Sequence, residues 1–242
     1  MEQEFYQEYA TAEREHWWFV ARRQIIEKIL KSLHLNPKSD ILEVGCGPGG
    51  NLEMLSKFGN LFALESDTGA REVANSRKIL QVAHGTLPGN IPFGKQRFDL
   101  IAMFDVLEHI DDDVAVLDAL YERLRPNGVL LLTVPAYMFL WSHHDVVNQH
   151  KRRYMRGQLT RLAKNRGYLV TYATYFNTLL FPVVLAVRLL EKLLNKNEGN
   201  DVGMPPKAAN TLLRYIFGSE RFLLPHIRLP FGVSILVVAR KP

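Results

Sequence analysis

Short apolar runs alternate with longer stretches in which apolar residues recur every three or four positions, and the changes of period fall at glycine, proline or aspartate. The 3.6-residue period predicts an amphipathic helix from about Glu13 to Leu35. It carries Trp17, Trp18, Phe19, Ile25, Ile26, Ile29 and Leu30, and Asn36-Pro37 ends it. Asp40 to Val44 is a compact apolar run that meets glycines at once, which reads as a strand entering a tight turn. A helix over Asn51–Phe58 follows, then a strand at Leu61–Leu64 ending on Glu65, a helix over Thr68–Ile79 and a short strand near Leu80–Ala83. Phe98–Met103 is the fourth strand, and Asp111–Leu124 is a helix with aspartates at its start. The turn Pro126-Asn127-Gly128 launches a fifth strand, Val129–Val134, which Pro135 ends. Two more strands are predicted at Tyr168–Tyr175 and Val233–Ala239.

Strand and helix thus alternate at βαβ spacing, which predicts an α/β fold with a parallel sheet covered on both faces. The 242 residues fit one elaborated domain. Residues 1–37 form a helical cap, 38–135 a nucleotide-type core, and 136–176 a lid and sixth strand. An apolar, basic insertion occupies 177–231 and the last strand 232–242. The insertion opens with a Leu-rich stretch, Asn177–Leu194. There Arg188, Glu191, Lys192 and Asn195 share one helical face, too interrupted for a membrane span.

Charge is divided unevenly between the two parts. Residues from Lys151 onward hold 16 Lys/Arg against 4 Asp/Glu, and the first 150 hold 14 against 21. That asymmetry points the later part toward an anionic partner, a phosphate or a lipid surface. The single cysteine, Cys46, permits no internal disulfide, and Met1–Tyr9 lacks the regions of a signal peptide; a cytoplasmic protein, membrane-associated through the insertion, is expected. No metal-ligand set is assigned from the sequence.

The chemistry concentrates at Glu43-Val44-Gly45-Cys46-Gly47-Pro48-Gly49-Gly50. A helix that starts straight after a strand offers free N–H groups and a positive dipole end, and glycines let a ligand approach the backbone. Gly45, Gly47 and Gly50 fit the dinucleotide spelling G-x-G-x-x-G, whereas Gly45, Gly47 and Gly49 fit G-x-G-x-G; Glu65, twenty residues after Gly45, suits a ribose diol in either case. Glu43 would repel a pyrophosphate and attract an ammonium, and Pro48 removes an N–H that phosphates would use.

With its downstream segments the loop resembles the class I S-adenosylmethionine (SAM)-dependent methyltransferases. Ile41 to Gly49, Glu65, Gly85-Thr86-Leu87-Pro88, Phe98 to Ile101, Phe104 to Ile110 and Leu124 to Gly128 carry the resemblance. It implies a Rossmann-like, seven-stranded, mostly parallel sheet ending in an antiparallel hairpin, with SAM as methyl donor. By position it implies a ribose contact at Glu65 beside Ser66, and Glu43, Gly45, Cys46, Gly47 and Gly49 around the methionine and ribose. Thr86 and Leu87 would border the adenine, where many relatives have an acid in place of Thr86. Phe104, Asp105 and Val106 would line the path to the sulfonium. Read from their positions in the chain, His109 is a further cofactor-side contact and Trp18 with Arg22 is a candidate to close over the cofactor, the alternative for Trp17 and Trp18 being ordinary core. His16 to Phe19 with Arg22-Arg23, Leu140 to Asp145 and His150 to Tyr154 also resemble a bacterial subgroup of the family.

Methyl transfer from a sulfonium needs an aligned nucleophile, exclusion of water and, for some acceptors, a base. His144 beside Asp145 is the candidate base with its orienting partner. Tyr137, Trp141, His143, His150 and Tyr154 are candidate acceptor contacts. The apolar insertion and its positive charge suggest a small-molecule acceptor, lipid-like or phosphorylated. A nucleic-acid-binding methyltransferase is a competing reading, opposed by basic residues interleaved with Leu, Val and Pro and by Val134-Pro135-Ala136-Tyr137 after the fifth strand. A non-catalytic SAM binder and a nicotinamide oxidoreductase complete the alternatives.

Overall fold

A computed structural model describes residues 3–194 and 203–242. Asn195 and the rest of 195–202, assigned above to the insertion, lie outside the described residues, as do Met1 and Glu2. The chain opens with α1 (Gln3–Glu15) and α2 (Trp17–Ser32), then β1 (Asp40–Val44), α3 (Leu52–Leu55), β2 (Asn60–Glu65), α4 (Thr68–Ser76), β3 (Ala83–His84), β4 (Phe98–Phe104) and α5 (Asp113–Arg123). There follow β5 (Leu124–Pro135), α6 (His143–Val147), α7 (Arg156–Asn165), β6 (Leu169–Phe176), α8 (Phe181–Leu193), α9 (Lys207–Ser219) and β7 (Ser234–Arg240).

The seven strands form one sheet in the order β3-β2-β1-β4-β5-β7-β6. The first five are parallel, and β7 inserts antiparallel between β5 and β6. This is the expected Rossmann-like sheet with its terminal hairpin. Pleating separates the core into two layers. Leu130, Leu132 and Val134 pack with α5 and α7, while Val129 and Leu131 pack with α2 and α9.

Where the sequence predicts one amino-terminal helix there are two. His16 adopts an extended backbone and its ring accepts from Trp18 N at 3.4 Å, so it caps α2 and turns the chain there. The α7 helix lies in a stretch the sequence leaves unassigned. The insertion contains two helices, of which α9 packs on α2: Phe217 meets Trp17, and Asn210 Oδ1 accepts from Trp17 N at 2.8 Å. No helix among the described residues is long and apolar enough to cross a membrane.

Candidate active site

Strand carboxyl ends in an open α/β sheet point their loops to one edge, and the main cavity, about 820 Å³, lies there. Its floor is the glycine loop. Gly45 and Gly47 have φ of +68° and +54°, and a Cβ on Gly45 would come within 2.7 Å of Val106. The carboxylate of Glu13 in α1 packs against Gly50, where an added Cβ would come within 2.5 Å of it. An acid in that place disfavours a pyrophosphate and with it the dinucleotide spelling.

Glu65 closes β2 and faces the cavity. Its Oε2 accepts from Gly47 N at 2.8 Å and its Oε1 from Asp67 N at 2.9 Å, so the acid and the loop fix one another. Remaining carboxylate lone pairs can accept from a vicinal diol. Ser66, Thr86, Leu87, Phe104, Asp105, Val106 and His109 also line the cavity.

Glu43 lies beneath the lining, wholly buried, with Asn51 Nδ2 donating to its Oε1 at 2.9 Å. Glu43 Oε2 and Asn51 Oδ1 are buried without hydrogen-bond partners among the described residues, a pair of acceptors that fits an ammonium. Burial pushes the Glu43 carboxyl up to about 8; Asn51 and Arg22 oppose this, while Glu13 and Glu65 add to it. The folded protein therefore holds a proton that the unfolded chain releases, and stability should fall as pH rises from about 4.5 to about 8. Denaturant titrations across that window should show a flatter pH dependence in Glu43→Gln; equal slopes in both proteins would refute the assignment.

Trp18 and Arg22 reach the site from α2. Arg22 forms an ion pair with Asp105 and lies 4.6 Å from the Trp18 ring centroid. Asp105, Tyr137 and Asn177 follow β4, β5 and β6, and each takes a left-handed backbone at φ near +55°. Asn177 lines the cavity, and its Oδ1 is buried without a partner among the described residues. Glu220 holds this corner, accepting from the backbone N–H groups of Asn177, Thr178 and Leu179 at 2.6–2.9 Å. Leu180, Val183, Val184 and Val187 complete the wall under α8.

The predicted acceptor residues separate. His144 and His150 line the cavity, but Tyr137, Trp141, His143 and Tyr154 do not. Tyr137 stacks between Phe139 and Tyr175, and Tyr154 is buried with its hydroxyl donating to Asp113 at 2.9 Å. His143 is exposed on α6. The pairing of His144 with Asp145 is corrected, because consecutive helical residues do not face each other. His144 meets Asn148 one turn on, at 3.2 Å. Asp145 turns inward, fully buried, to His150 Nδ1 at 2.8 Å and to Arg153 Nε and Nη2 at 2.8 and 2.9 Å. Burial alone would raise the Asp145 carboxyl, yet the hydrogen bonds from His150 and Arg153 hold it well below the usual range. His109 is pushed down to about 4 by burial and by His150, so its ring is neutral. Burial, reinforced by Asp105, drives Glu108 well above the ordinary carboxylate range.

Several of these residues escape a sequence reading. Glu13 and Asn177 belong to no local motif and only the fold brings them to the cavity, while Glu108 and Arg153 lie in segments that carry the resemblance but with nothing local to show which way their side chains turn.

Sheet order, glycine loop and ribose-type acid together define a class I methyltransferase domain, and known proteins agree. The family model described as a methyltransferase domain matches residues 15–173. A probable SAM-dependent methyltransferase of Mycolicibacterium smegmatis is 25% identical, the match covering 64% of this chain and 61% of that protein. The mitochondrial ubiquinone biosynthesis O-methyltransferase of Schizosaccharomyces pombe is 31% identical over 38% of this chain and 36% of its own length. The chain therefore spans about three fifths or less of these relatives. A phosphoethanolamine N-methyltransferase 2 of Haemonchus contortus, solved with SAM, shares the fold at a TM-score of 0.59 and 16% identity, over 90% of this chain and 52% of that one. The chain belongs to the class I SAM-dependent methyltransferases, and SAM is the donor its cavity floor fits.

Proposed function

We propose that this chain transfers the methyl group of SAM to a small-molecule acceptor with a lipid-like part, taken up beneath α8 from an anionic membrane surface. One observation carries the reading: a single cavity runs from the glycine loop to the apolar inner side of α8. In it, Glu65 accepts from the ribose hydroxyls, Thr86 and Leu87 border the adenine, and Glu43 with Asn51 receives the methionine ammonium. Asp105, Arg22 and Trp18 close over the sulfonium. The nucleophile then needs only alignment in a dry pocket and a place for its proton, which His144 in the wall can provide. Among the relatives, one is named as an O-methyltransferase of ubiquinone biosynthesis and one as a phosphoethanolamine N-methyltransferase, both small-molecule reactions compatible with this pocket.

The outer side of α8 supports the membrane source. The helix has no buried residue, and Leu189, Leu190 and Leu193, which lie outside the cavity wall, are 53%, 55% and 81% exposed. Ring contacts from Phe139 through Tyr137 and Phe181 to Phe231 extend this surface, with Lys192 exposed beside it. A greasy helix with cations at its margin suits the interface of an anionic bilayer.

Methyl-labelled SAM incubated with the protein and a total lipid extract should deliver label to the organic phase. Label appearing only with the matching aqueous extract would reject the lipid-like acceptor. In parallel, the chain should sediment with phosphatidylglycerol vesicles and less so after Leu189→Glu/Leu193→Glu; no sedimentation with such vesicles would remove the membrane source.

A further inference from the structure

Glu108, His109 and His150 each bring one ligand-type atom to a common point, all within 4.8 Å of one another, and all three line the cavity. Glu108 is fully buried, and neither of its carboxylate oxygens has a hydrogen-bond partner among the described residues. The cations nearest to it are engaged elsewhere, Arg22 with Asp105 and Arg153 with Asp145. A buried carboxylate without a counter-charge is costly, so a proton or a bound cation has to offset it.

The histidines favour the cation. His150 Nδ1 is taken by Asp145 at 2.8 Å, which fixes the ring and leaves Nε2 as the ligand atom. A carboxylate behind a histidine is the usual outer support of a metal-bound imidazole. His109 meets His150 edge to face at 4.6 Å between centroids, so the two rings stand side by side next to Glu108. Two imidazoles and one carboxylate suit a divalent first-row transition ion better than magnesium or calcium. Ligand atoms around tetrahedral zinc lie about 3.3 Å apart, against separations of up to 4.8 Å here.

We propose that Glu108, His109 and His150 form a binding site for a divalent transition-metal ion, with Asp145 as the positioning residue behind His150 and the ion's open positions facing the cavity. An acceptor hydroxyl held at those positions would lose its proton more readily, as a metal-bound water does, the proton passing to solvent at the cavity mouth. That second part rests on the methyl-transfer reading above, whereas metal binding itself does not.

The full chain, stripped with chelator, is titrated with zinc by calorimetry and with cobalt(II) by visible absorption. One equivalent of each metal should bind, with cobalt bands diagnostic of nitrogen ligation, and SAM binding is measured on the same samples. Glu108→Gln and His150→Gln should each weaken zinc at least tenfold, in line with loss of a ligand, while the exposed-site control His143→Ala binds as wild type. Absent cobalt bands in the wild type, or zinc affinity unchanged in Glu108→Gln, would overturn the site. A variant that fails to fold is replaced by Glu108→Asp, for which altered cobalt bands are expected and unaltered ones count against the proposal. Loss of SAM binding in the wild type would instead refute the methyl-transfer reading and leave the metal result standing.

Discussion

Asp145→Ala should cost about 3–5 kcal/mol of folding stability, the range for removing one partner of a buried ion pair. The side chain is fully buried and Arg153 is 6% exposed, so solvent screening does little to reduce the figure. Arg153 would keep its charge but retain only the Ala136 carbonyl as an acceptor at 3.2 Å. The loss extends to the backbone, because Asp145 Oδ2 also accepts from Ser142 N at 2.8 Å and closes the capping box that starts α6. For a chain of this size the melting temperature should fall by roughly 10 °C. Asp145→Asn keeps the shape and some hydrogen bonds, so its deficit should lie between wild type and alanine. A melt of Asp145→Ala within about 2 °C of wild type would show that the cluster is not a stabilising core.

The same residue shows what a sequence can and cannot reveal. Features written within a few residues were legible: the strand into the glycine turn, Glu65 at the end of β2, and the terminal strands of the hairpin. In each of these a local rule of backbone geometry or periodicity decides the outcome. Asp145 was legible as a functional-looking acid but not in its direction. Adjacency to His144 suggested a dyad, whereas helical geometry sends the two side chains about 100° apart. The partner it does find, His150, arrives because Gln149 turns the chain with φ +56°, and His150 N then donates to the Asp145 carbonyl at 2.9 Å. Glu13 was illegible for a different reason. Its place against Gly50 depends on a break at His16, and an uninterrupted amphipathic pattern conceals that break. Tyr137 and Tyr154 belong to a sequence cluster of polar aromatics, yet stacking holds Tyr137 half-buried against the core and Tyr154 is buried with its hydroxyl on Asp113.

Glu65→Ala should weaken SAM binding by about two orders of magnitude. On the proposed assignment its carboxylate accepts from two ribose hydroxyls, and hydrogen bonds to a charged group contribute about 1.5–3 kcal/mol each. Loss of both therefore amounts to about 3 kcal/mol or more, or at least a hundredfold in affinity. The loop adds to the effect. Without Glu65, Gly47 N and Asp67 N lose their acceptor, and the left-handed turn at Gly47 is no longer tied to β2. Glu65→Gln separates the two contributions, since its amide oxygen can still accept from one N–H while the charge is gone. Calorimetry should rank wild type above glutamine above alanine, with folding intact because Glu65 sits at the rim of the sheet and not in either apolar layer. If Glu65→Ala bound SAM as tightly as wild type, the ribose role would be wrong. The floor of the cavity would then have to hold the donor through Glu43 and Asn51 alone.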